Sequence, residues 1–214
     1  PYLTDHWGNP SSVYQFAGEA RRGMDQARAQ VAAAINADPG EIIFTGGGSE
    51  ADNLAIKGYA WAHQDKGKHL ITCAIEHHAV LHTMDRLAKL GFEVTVLGVD
   101  RDGMVHPEQV AEALRPDTIL VSIMHANNEV GTIQPIAEIG ALCRERQVAF
   151  HSDAVQSLGK VPIDVKQLPV DMLAFSAHKI YGPKGVGVLY LRRGTKIWPL
   201  IDGGAQEKRL RSGT

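Results

Sequence analysis

Three places in the chain combine residue types that can do chemistry with a setting that lets a fold bring them together. The first is Gly46-Gly47-Gly48-Ser49, which follows the apolar run Ile42-Ile43-Phe44 and leads into a segment of helical period. A strand, a glycine turn and a helix start gather unpaired backbone N–H groups and the positive end of a helix dipole at one point, which suits a phosphate. Ser49 can cap that helix or donate its hydroxyl to the same anion. The segment is neither a Walker A loop nor a G-x-G-x-x-G fingerprint, so a plain turn is the competing reading. The second place is Asp153, at the end of the apolar run Val148-Ala149-Phe150-His151-Ser152. Carboxyl ends of parallel strands are where open α/β sheets bind ligands, which sets Asp153 to face a ligand cation; a turn or helix cap is the alternative. The third is Lys179, delivered by a strand into a loop between an apolar run and a Gly-rich turn. A partly desolvated lysine at such a place can lose its proton and form a Schiff base, whereas most lysines are simply solvated. Lys184, between Pro183 and Gly185, is read as solvated, with a phosphate-side or turn role open.

A phosphate cradle, a strand-end carboxylate and a strand-end lysine together match the parts of pyridoxal 5'-phosphate (PLP). The helix N-terminus would anchor the phosphate and the lysine the aldehyde. The carboxylate would keep the pyridine nitrogen protonated, so that the ring acts as an electron sink.

The elements that must position these residues are legible as short Val- and Ile-rich runs alternating with segments of helical period, the pattern of an α/β fold with parallel strands. Ser11 or Ser12 is expected to cap a first helix that carries Ala20, Met24, Ala27, Val31, Ala34 and Ile35 and ends at Asn36. Strands are expected at 41–45, 69–74, 93–99, 118–124, 148–152, 171–177 and 187–191. The helix that opens at Ser49-Glu50 is expected to be followed by others near 78–90, 107–115 and 135–146.

With these residues in view, the chain resembles the class I cysteine desulfurases, PLP enzymes of the aminotransferase class V group that supply sulfur for iron–sulfur clusters and nitrogenase maturation. The matching segments are GNPSS, IIFTGGGSEADNLAIKG, IEHHAV, MHANNEVGTIQPI, HSDAVQSLGKVPID, FSAHKIYGPKGVGVLYLRR and RSGT, in order along nearly the whole chain. ANNEVG, GPKGVG and RSGT resemble this class more than the related class II enzymes. The resemblance implies the large domain of a fold type I (aspartate-aminotransferase-like) enzyme, a mostly parallel seven-stranded sheet between helices. Residues 1–214 would then be an incomplete PLP-binding large domain, with an N-terminal segment and a small C-terminal domain outside the chain.

The same resemblance implies roles. Lys179 would be the Schiff-base lysine and would later move the substrate Cα proton, and Asp153 would pair with the ring nitrogen. Gln156 would hydrogen-bond the phenolic oxygen. His77 would stack on the ring and act as an acid–base group near the substrate sulfur. Gly48, Ser49, Ser176 and His178 would hold the phosphate, and Thr214 would reach the phosphate of a neighbouring subunit, which needs a homodimer. Asn128 would bind the substrate carboxylate. The implied activity converts L-cysteine to L-alanine and a protein persulfide, passed to a sulfur-acceptor or iron–sulfur scaffold protein.

The persulfide-forming cysteine loop and the arginine of the substrate carboxylate site are missing from the 214 residues, so these alone are expected not to complete sulfur release. Cys73 and Cys143, in apolar surroundings, read as buried reduced thiols and are not given that role. Other fold type I enzymes acting on selenocysteine or cystine share the same apparatus. A non-catalytic dimerisation or acceptor-docking module is disfavoured by the intact Lys179, Asp153 and His77. His78 and His82 have a zinc-compatible i, i+4 spacing without a Cys or carboxylate to complete a set, and no metal is assigned. The basic run Lys208-Arg209-Leu210-Arg211 reads as a solvated loop.

Composition agrees with a folded globular chain: 44% hydrophobic and 21% charged residues over 214. A formal charge of -2 gives no global field for nucleic acid or an anionic membrane. No apolar run approaches a membrane span of roughly 18 residues, and no signal pattern opens the chain, which makes a cytoplasmic location the expectation.

Overall fold

The computed structural model describes residues 1–213. A seven-stranded sheet forms the centre, built from β1 (Ile42–Thr45), β2 (His69–Cys73), β3 (Glu93–Leu97), β4 (Thr118–Ser122), β5 (Ala149–Asp153), β6 (Met172–Ser176) and β7 (Gly187–Leu191), in the order β1-β7-β6-β5-β4-β2-β3. The pairs β3/β2, β2/β4, β4/β5 and β5/β6 are parallel, and β7 runs antiparallel to both β6 and β1. The expected mostly parallel sheet is present, with every strand within two residues of its expected ends.

Five helices cover it: α1 (Gly18–Ala34), α2 (Gly48–His63), α3 (His78–Lys89), α4 (Pro107–Ala113) and α5 (Ile136–Glu145). Because side chains alternate along a strand, neighbouring residues pack into two different cores. Ile42, Ile71, Val121, Phe150 and Leu173 face one core with Ile35, Val110 and Ile139, the side of α1, α4 and α5. Ile43, Leu70, Leu120, Ala149 and Met172 face the other with Leu54, Ile56, Val80, Met84 and Leu87, the side of α2 and α3. Both faces being covered explains why the central strands read as nearly unbroken apolar runs.

The first helix differs from expectation. It starts at Gly18, after a 3-10 turn at Gln15–Ala17, and Ser11 instead donates its N–H to Asn9 Oδ1 at 2.9 Å. Ser11 and Ser12 therefore do not cap it: Asn9 closes its own turn there, and the chain needs several further residues before the apolar face begins at Ala17 and Ala20. At the other end Ala32 takes the buried place, and Ala34 faces solvent.

Candidate functional site

Parallel strands β4, β5 and β6 end together, and the start of α2 lies beside their carboxyl ends, so the fold gathers what the sequence scatters over more than a hundred residues. There a cavity of about 520 Å³ is lined by Gly48, Ser49, His77, Asn128, Asp153, Gln156, Ser176, His178 and Lys179. Every residue expected in the site lines it except Thr214, which lies outside the described residues. Lys184, left open in the sequence, lines it too.

The glycine turn leads into the start of α2 as expected, but Ser49 does not cap that helix. Gly47 is the N-cap of α2 and makes no side-chain cap. Ser49 is already inside the first turn, so it does not cap the helix, and its exposed hydroxyl is left for the cavity it lines. A Cβ on Gly48 would stand 2.7 Å from Val155 Cγ2 and 3.3 Å from Ser176 Cβ, so only glycine lets the helix start approach the β5 and β6 ends this closely. Gly187 of β7 is as tightly placed, with a Cβ there meeting the Gly47 backbone at 2.4 Å. Glu50 fastens the rim: it accepts from Gly46 N–H at 2.7 Å and from Arg211 Nε at 2.8 Å. Burial acts to raise the Glu50 pKa, and these donors outweigh it and leave the carboxyl below its usual range. Arg211 is thus pinned to the site rim, and Lys208 is held by the Gly40 carbonyl, so the basic run is tied down more than a solvated loop would be.

Asp153 ends β5 at 5% exposure. Its Oδ1 accepts the Val155 N–H at 2.9 Å, which fixes the carboxyl's orientation at the cavity wall. Burial, and next the neighbouring Asp52, push its pKa up to about 7. A carboxylate at that poise gains much from a cation placed against it.

Lys179 lies in a 3-10 turn, Ala177–Ile180, directly after β6, closed by Tyr181 in the left-handed region (φ 63°) and by Gly182 N–H on the Ala177 carbonyl at 2.9 Å. Its side chain is exposed, so the partial desolvation expected from the sequence is not provided by the described residues: the turn projects the lysine beyond the sheet end rather than burying it. Ser176 Oγ and His178 Nδ1 are 2.7 Å apart, which couples the two polar groups next to Gly48. His77 is the N-cap of α3, its Nδ1 accepting the Ala79 N–H at 3.1 Å. That bond assigns the proton of the neutral ring to Nε2 and holds the ring at the cavity. Asn127 is buried and closes its own loop by accepting from Glu129 and Val130 N–H, which leaves Asn128 exposed at the cavity edge.

Two residues at the site were not anticipated. Asp52, one turn after Gly48, lines the cavity at 1% exposure, and burial pushes its pKa up to about 8. Glu76 precedes His77 at 5% exposure and accepts the Met124 N–H at 2.6 Å and the Cys73 thiol at 3.2 Å, and burial holds its pKa well above the usual carboxylate range. The i, i+4 step from Gly48 to Asp52 was the available signal for the first. Both cysteines are free and buried, their thiol pKa values raised by burial, as expected of core positions. The His78 and His82 rings are 5.1 Å apart, and no group of three metal-ligating side chains forms among the described residues.

The donors fit PLP: a helix start stripped of Cβ for the phosphate, a buried carboxylate for a ring cation, and an exposed lysine lining the same cavity.

The chain is 56% identical over 214 residues to the protein named cysteine desulfurase IscS of Methanosarcina thermophila, covering all of this chain and 53% of that one. It is also 56% identical to cysteine desulfurase IscS of Dictyoglomus turgidum, covering 54% of it. The chain thus spans about half the length of these curated relatives. The solved structure of SspA in complex with cysteine superposes with a TM-score of 0.97 at 47% identity, over 100% of this chain and 62% of that one. The fold is the fold type I arrangement the sequence implied. The aminotransferase class-V family model matches residues 1–213, and the chain belongs to that family.

Proposed function

We propose that residues 1–214 are the PLP-binding large domain of a cysteine desulfurase, which converts L-cysteine to L-alanine and passes sulfur as a protein persulfide to an acceptor or iron–sulfur scaffold protein. The carrying observation is the single cavity lined by Lys179, Asp153, His77 and the Gly48-Ser49 cradle. Identity of 56% to proteins named as cysteine desulfurases supports the substrate assignment.

When bound, PLP supplies an electron sink for the pair left at the substrate Cα. The backbone N–H groups at Gly48 and Ser49, with the Ser49 and Ser176 hydroxyls and His178, hold the phosphate at the helix start. Asp153 keeps a proton on the ring nitrogen. Lys179 Nζ would be the group that holds the cofactor's aldehyde end and that carries the substrate Cα proton. His77 would lie against the cofactor ring and would move a proton at the substrate sulfur through Nε2, while Gln156 would bond the phenolic oxygen and Asn128 the substrate carboxylate. Neither buried cysteine serves as persulfide carrier, since a thiol with a raised pKa and no access to the cavity is inert. A homodimer, and a cytoplasmic setting in keeping with two free buried thiols, complete the reading.

The test is alanine and sulfide production from L-cysteine by the full-length protein, with selenocysteine and cystine as competing substrates. Lys179→Ala should abolish alanine formation. An unchanged rate in that variant, or preference for cystine, overturns the assignment.

A further inference from the structure

Behind Asp153 lies a group of buried polar atoms that the mechanism above does not use. His151, two residues earlier on β5, shares Asp153's face of the strand, and α2 packs over that face with Asp52. Asp52 Oδ1 and His151 Nε2 are 3.5 Å apart at 1% and 0% side-chain exposure. Neither atom has a hydrogen-bond partner among the described residues. The other ring nitrogen, Nδ1, lies 2.8 Å from Ser122 Oγ on β4.

Two buried polar atoms that face each other without other partners are satisfied only when a proton lies between them. If that proton moved fully to His151, the result would be a buried ion pair with no supporting hydrogen bonds on the carboxylate, for which desolvation outweighs attraction. It would also place a second negative charge beside Asp153, and two adjacent buried carboxyls do not both ionise. The two acids are treated differently by their surroundings. Asp153 receives the Val155 N–H, which favours its ionised form, whereas Asp52 Oδ1 faces, among the described residues, a ring nitrogen that can accept its proton.

We infer that Asp52 and His151 form a proton-sharing pair that keeps Asp52 uncharged and so reserves the negative charge at the cavity floor for Asp153. Asp52 and His151 are then positioning residues: they act on the bound ring only through the charge of Asp153. The inference rests on Asp153 being the partner of the ring nitrogen. The directions of titration agree, since burial raises Asp52, lowers His151 to about 4, and raises Glu76, the third acid of the cluster, which its neighbours Asp153 and Asp52 raise further.

The first test is infrared spectroscopy of the full-length protein without cofactor, just below neutral pH. Subtracting the Asp52→Asn spectrum from that of the unmodified protein should leave the carbonyl stretch of a protonated carboxylic acid. Carboxylate bands in its place overturn the inference. The second measures PLP affinity. His151→Leu should weaken it about tenfold, the effect of roughly one pK unit at Asp153. Adding Asp52→Asn, which cannot ionise, should restore it to within about threefold. No loss in the single variant, or a loss that the second substitution does not rescue, overturns the inference, because a purely structural role for His151 would not be repaired by neutralising Asp52. Failure of the cofactor reading itself shows separately, as absence of PLP at Lys179 in the unmodified protein, and leaves the infrared result standing.

Discussion

His69 and His151 are both wholly buried in the same sheet, yet only one of them is bonded to hydroxyls on both ring nitrogens. His69 starts β2 and is bonded on both nitrogens, to Thr118 Oγ1 at 2.7 Å and Thr95 Oγ1 at 2.8 Å. His151, near the end of β5, has a hydroxyl on Nδ1 only, and its Nε2 faces the Asp52 carboxyl at 3.5 Å. The contrast extends to the whole sheet. At the amino ends of β2, β3 and β4, charges pair, with Arg115 on Glu93 at 2.5 Å and on Asp117 at 2.9 Å. The buried polar atoms without partners among the described residues belong to Asp52, Thr72, Glu76, His125, His151 and Ser152, all toward the carboxyl ends. Unsatisfied buried groups destabilise a fold, so their collection at one end marks where the molecule retains polarity for a ligand rather than for itself.

Four substitutions sharpen or break that contrast. The largest effect is expected at Asp153→Asn, which should lower kcat/KM for L-cysteine about a thousandfold, on the scale of losing a positioned proton-holding group. Steady-state rates of the full-length protein check it, and a loss under tenfold would remove Asp153 from the central role. Asp52→Asn should stabilise the cofactor-free protein by on the order of a few kcal/mol at high pH. Its sign follows from the raised pKa: the acid's contribution is intact below about 4 and is lost as pH rises through about 8. Denaturant midpoints of the variant and the unmodified protein should therefore coincide near pH 4 and separate by pH 8, and a constant gap would contradict the assignment. At the other end of the sheet, His69→Leu should cost about 2–3 kcal/mol by orphaning two threonine hydroxyls, with PLP affinity unchanged. If His69→Leu weakened cofactor binding more than stability, the division between the two ends would be wrong. The smallest effect belongs to Arg115→Ala, about 0.5–1 kcal/mol for half-exposed ion pairs, read as a shift in the same midpoint that shrinks with added salt.

Much of this was legible in the chain. Apolar runs ending in Asp153 and Ser176 announce parallel strands and the edge at which a ligand sits, and the glycines at 46–48 announce a close backbone approach. Asp52 was not legible, because one acid in SEADNLAIKG looks like a solvated helix face until β5 is packed against it. Glu76 was hidden in the same way by the turn before His77. The start of α1 was misplaced because Ser11 and Ser12 have capping side chains, but Asn9 takes over the local hydrogen bonding. Lys179 lines the cavity, but its exposure was not legible, since the left-handed turn at Tyr181 that follows it leaves no clear trace in residue type.

Lys179 is the residue through which PLP would be held in this cavity. Adding PLP to the full-length protein, reducing with borohydride and mapping the modified peptide reads it directly. An absorbance band near the visible edge before reduction, with the label on Lys179 and lost in Lys179→Ala, is the expected result. A label on Lys184 or another lysine, or no band at all, would contradict it.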